Sequence, residues 1–89
     1  MHLEAFLFMA QAEGFTKPVE VCRDPEGFLD FHEHPFEAKA LILDGEIEIG
    51  DAQYSRRYQA GDVFHLTKNQ PHWERYGPTG VRYLSARKD

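Results

Sequence analysis

The stretch Phe31–Gly45, FHEHPFEAKALILDG, decides how the rest of the chain is read. It opens with His32 and His34 two residues apart, continues as an apolar run, and stops at the pair Asp44-Gly45. In an extended strand successive side chains alternate faces, so the two imidazoles point to one side, about 7 Å apart along the chain. Imidazoles so placed converge on a single metal ion, and neutral imidazole is the commonest metal ligand. A third ligand has to arrive from elsewhere in the sequence.

Outward from this stretch the chain reads as short strands separated by turn signals. Upstream, Val19 and Val21 alternate with Glu20 and Cys22, and Asp24-Pro25-Glu26-Gly27 marks a turn. Phe28–His34 and Ala38–Leu43 follow as strands, the second closed by Asp44-Gly45, a hairpin dipeptide. Downstream, 46–49, 54–58, 63–66, 72–76 and 81–86 continue the pattern, with Gly77-Pro78 and Gly80 separating the last two. About eight short strands at this spacing predict a small, closed antiparallel barrel, since closure removes exposed edges. The N-terminal segment differs. Leu3, Phe6, Leu7 and Ala10 have helical spacing and Gly14 suits a C-cap, which predicts a helix over 3–13; the competing expectation is a strand added to a partner's sheet. The division expected is a helical segment over 1–16 and a barrel over 17–89.

Composition narrows the function classes. Eighty-nine residues make one domain. A net charge of -5 with scattered cations excludes a nucleic-acid backbone as partner, which needs a basic surface. Cys22 is the only cysteine, so no intrachain disulfide forms, and a cytoplasmic location is expected. The apolar run near the N-terminus lacks a basic start and is too short to span a bilayer, so no membrane partner is expected.

The third histidine candidate lies in Gly61-Asp62-Val63-Phe64-His65-Leu66-Thr67-Lys68-Asn69-Gln70-Pro71-His72. His32-x-His34 followed by Gly45, then Gly61-Asp62 followed by Pro71-His72, resembles the two motifs of the cupin superfamily, over roughly Gly27 to Glu74. The resemblance implies a jelly-roll β-barrel, all-β apart from the N-terminal helix, holding a divalent metal through His32, His34 and His72. It departs from the family pattern at Ala38, where a glutamate ligand is usual, four residues after the second histidine. Glu37 is one residue off, and strict alternation turns it away from His34 unless a bulge or the Pro35 kink re-aims it. Glu74 is better placed by parity, because it shares a face with His72 two residues earlier. Glu74 and His65 are the candidate acid–base groups.

Three histidines with an open position suit Zn²⁺, Ni²⁺, Fe²⁺, Mn²⁺ or Cu²⁺. The expectation is a metal-binding small cupin acting on or binding a small molecule, as a homodimer. If it is an enzyme, it is a metal-dependent oxygenase or isomerase; the alternative is a metal-free barrel that binds or senses a small ligand.

Overall fold

A computed structural model describes all 89 residues, Met1–Asp89. Helix α1 (Leu3–Ala12) precedes six strands: β1 (Val19–Arg23), β2 (Phe28–His32), β3 (Glu37–Gly50), β4 (Ser55–Gln59), β5 (Val63–Leu66) and β6 (His72–Lys88). All strand pairs are antiparallel. No helix is long and apolar enough to cross a membrane.

Two of the expected breaks do not occur. β3 passes through Asp44-Gly45 and β6 passes through Gly77–Gly80, and the two strands pair along their length from Glu37↔Lys88 to Gly50↔Trp73. The register shifts on either side of Asp44-Gly45, so this dipeptide bends a strand and closes no hairpin. Gly45 (φ +75°) lies against Gly80 (φ +77°): a Cβ on Gly45 would stand 2.1 Å from the Gly80 carbonyl oxygen. Both glycines are required where the strands cross this closely.

The bends distribute each long strand over two sheets. In one sheet the C-terminal half of β6 pairs with β1 and the N-terminal half of β3 pairs with β5. In the other, the N-terminal half of β6 pairs with β2 and the C-terminal half of β3 with β4. Six strands thus supply eight pairing segments, the jelly-roll arrangement. Ala40, Ile42, Ile47, Ile49, Phe64, Leu66, Tyr76, Val81 and Tyr83 fill the space between the sheets. Alternation sends Leu41 and Ala86 to the outer face, where Phe6, Ala10 and Phe15 cover them.

The N-terminal segment is a helix and not an added strand. It ends in a Schellman motif: Gly14 (φ +84°) donates its N–H to Gln11 and Phe15 donates to Ala10. Phe6 and Ala10 are buried, whereas Leu3, Leu7 and Phe8 remain exposed, so only part of the apolar stripe meets the sheet.

Candidate metal centre

β6 delivers His72 and Glu74 to the interior by alternation, and both are buried. β2 delivers His32 through a bulge: Leu29 faces Glu74 and His32 faces His72, so three steps on β2 match two on β6. β2 ends at His32, earlier than expected, because Pro35 carries no N–H and restricts His34 before it. His34 therefore sits on the following loop. Its carbonyl accepts the N–H of Asn69 (2.8 Å), which ties this loop to the one that leads into His72.

His32, His34, His72 and Glu74 come together, each offering a ligand atom within 4.8 Å of the others. The ring centroids of His32 and His72 are 4.2 Å apart, and that of His34 is 5.0 Å from His32 and 5.4 Å from His72. Hydrogen bonds fix the ring orientations. Nδ1 of His32 donates to the Asp30 carbonyl (2.7 Å) and Nδ1 of His72 to the Gln70 carbonyl (2.8 Å). Their Nε2 atoms each lie 3.2 Å from Glu74 Oε2, and Glu74 Oε1 accepts the Tyr76 hydroxyl at 3.0 Å.

Each of these two rings is thus flanked by acceptors at both nitrogens, and only a cation, a proton or a metal, satisfies that arrangement. With Nδ1 committed to a carbonyl, Nε2 presents its lone pair inward, as the rings of metal-ligating histidines do. The ligand atoms span little more than an ion with bonds of about 2.0–2.2 Å would bridge. The residues therefore fit a divalent metal.

The electrostatics agree. Burial, and then the neighbouring imidazoles His32 and His72, hold His34 below the ordinary histidine value, which keeps it neutral and ready to ligate. For His72, burial opposes charge, but the hydrogen bonds to Glu74 and to the Gln70 carbonyl outweigh it and raise its pKa. For Glu74, burial favours the neutral acid, but the hydrogen bonds from His72 and Tyr76 outweigh it and lower its pKa. Burial and the Glu74 charge push Tyr76 upward, so it stays a donor.

Glu37 and His65 do not join the cluster. Each lies on the outward parity of its strand, where the Glu37 carboxylate meets His65 Nε2. Ala38, by contrast, is buried and lines the same cavity as His32 and His34. The hydroxyl of Tyr76, the carbonyls of Asp30 and Gln70, and the cavity-lining Arg23 and Arg87 escaped the sequence reading. Alternation was the available signal for both arginines, since Arg23 shares parity with Val21 and Arg87 with Tyr83 and Ser85.

No protein-family model matches the sequence, and no curated protein matches it. Solved structures do. An RmlC-like cupin from Shewanella frigidimarina superposes with a TM-score of 0.67 at 20% identity, over 79% of this chain and 62% of that one. The cupin domain of Schizosaccharomyces pombe Cnp3 gives 0.70 at 15% identity, over 82% of this chain and 58% of that one. Oxalate decarboxylase from Lactobacillus farciminis, solved as a formate complex, gives 0.69 at 20% identity, over 83% of this chain and 24% of that one. The chain therefore spans about three fifths of the first two structures and a quarter of the third. With two bent strands shared between two sheets and three histidines converging inside, the chain has the fold of a small cupin.

Proposed function

We propose that the protein is a metal-binding cupin in which His32, His34 and His72, with Glu74 as the carboxylate, hold one divalent transition ion beside a cavity that takes a small molecule. The observation that carries this reading is the double commitment of His32 and His72: both Nδ1 atoms are spent on backbone carbonyls while both Nε2 atoms converge on one carboxylate oxygen. Glu74 supplies the negative charge that the usual position, Ala38, lacks. Three imidazoles and a carboxylate suit Zn²⁺, Ni²⁺, Fe²⁺, Mn²⁺ or Cu²⁺. When bound, such an ion polarises an oxygen of a ligand or water at an open position. His32 and His72 keep their tautomers through Asp30 and Gln70, and Tyr76 holds the Glu74 carboxylate in place.

The deciding experiment compares metal content by mass spectrometry in the untagged protein and the His32→Ala/His72→Ala variant. Near-stoichiometric metal in the first and none in the second is the expected result. No metal in either, even after reloading, would sink the reading. We further propose that the chain works as a homodimer, supported by Leu3, Leu7 and Phe8, which α1 leaves 45%, 40% and 76% exposed. Light scattering at a mass of 10.3 kDa, that of a single chain, would refute the dimer.

A further inference from the structure

The cavity beside His32 and His34 has two guanidiniums in its wall, Arg23 at the end of β1 and Arg87 near the end of β6. Neither takes part in an ion pair, although Arg75 and Arg82 elsewhere on the surface do. Arg87 is positioned without spending its donors: its Cζ lies 4.4 Å from the centre of the Phe36 ring, and that ring stacks on His34 at 5.0 Å. Arg23 shares its inward parity with Val21 and stands beside Tyr83, whose hydroxyl burial pushes up to about 12, so that it remains a neutral donor facing the same space. Ser85 adds a hydroxyl to the lining.

The acceptor side of the cavity is nearly empty. Glu74 is the only carboxylate in the lining, and its oxygens are already taken by His32, His72 and Tyr76. A chain whose net charge is -5 has thus gathered two guanidiniums outside any ion pair around one half-open cavity, so the local sign is opposite to the global one. Guanidinium forks match the planar, two-oxygen geometry of carboxylates.

We infer that this cavity binds a small organic carboxylate, with Arg23 and Arg87 as its anion-recognising residues. The inference deepens the proposed function, resting on it only for the end of the ligand that faces the histidines. Size sets the class further. A cavity of about 80 Å³ accommodates a ligand of roughly four to six non-hydrogen atoms, judged from the volume one water needs. Short hydroxy or keto acids match that volume.

Glycolate and its neutral isostere glycolamide are the probes, titrated calorimetrically into the full chain, once with Zn²⁺ and once with chelator. The variants are Arg23→Gln, Arg87→Gln, their combination, and Arg82→Gln as a cation outside the cavity; circular dichroism melts establish that each folds. The expected result is glycolate binding at least tenfold tighter than glycolamide, weakened tenfold or more in the double variant and unchanged in Arg82→Gln, while the double variant retains Zn²⁺ at the wild-type ratio. The single variants decide the matter if the double variant does not fold. Equal glycolate affinity in wild type and the arginine variants would overturn the inference, as would equal binding of the two probes or no glycolate binding by zinc-loaded protein. Arginine-dependent glycolate binding by a chain that retains no Zn²⁺ would overturn the metal reading alone, and a chain that binds neither Zn²⁺ nor glycolate would overturn both.

Discussion

Glu74 sits at the junction of the contacts to His32, His72 and Tyr76, and its charge governs the neighbour that most needs it. The imidazolium of His72 is held up by this carboxylate against its own burial. In Glu74→Gln that support goes, the burial stays, and only the Gln70 carbonyl still opposes it. An NMR titration of the metal-free protein should show the His72 midpoint above the ordinary 6.5 in wild type and lower in the variant. The sign of the stability effect follows. Glu74, with its pKa lowered, contributes above the ordinary carboxylate range and loses that contribution as pH falls through its folded value. His72, with its pKa raised, contributes fully below 6.5 and loses that contribution as pH rises through its folded value. The wild-type advantage over Glu74→Gln should therefore be greatest at about pH 5–6.5, at about 1–3 kcal/mol, and shrink toward pH 8 in denaturant unfolding. Ala38 offers the reverse experiment. Its Cβ faces the cavity, so Ala38→Glu places a second carboxylate beside His34 and should raise zinc affinity at least tenfold in a chelator competition. Unchanged affinity would count against the geometry given for this wall.

Elements explain which parts of this arrangement the sequence disclosed. The alternation of His72 with Glu74 and of Ala38 with Ala40 was legible, because a period of two needs no knowledge of the partner strand. The bulge that turns His32 inward beside Leu29 was not, because it exists only in the pairing of β2 with β6. The same limit applies to Asp44-Gly45. Locally it is a hairpin signal, and only the approach of Gly80 from a distant part of the chain converts it into a bend. That approach makes a sharp prediction. Gly45→Ala strains a left-handed position and drives a methyl into backbone, so thermal unfolding should show a loss of about 3 kcal/mol or more, far beyond an ordinary glycine replacement. A near-neutral effect would mean that the strands do not cross there as described. Glu37 and His65 show parity at work in the other direction: both are outward residues, and they met each other.

At the scale of the whole molecule, the centre joins parts that are far apart in sequence: β2 and its following loop on one side, β6 on the other. A ligand that binds only the folded chain stabilises all of it, by about 2.7 kcal/mol at one hundred times its dissociation constant. Zinc at that excess should raise the melting temperature by several degrees, chelator should reverse the rise, and His32→Ala/His72→Ala should show neither. Equal melting temperatures with and without zinc would weigh against a shared ion. The crossing of β3 and β6 also has a kinetic meaning. Because each of these strands belongs to both sheets, neither sheet is a unit that forms or comes apart alone. Along this ladder chain closure is cheapest at Gly50↔Trp73 and dearest at Glu37↔Lys88, so the two strands should zip from the end beside His72 toward the helix. The site itself is completed only when β2 and its following loop close back on β6, from His32 to His72, so a cation bound there fastens a pairing that the β3–β6 ladder does not hold by itself.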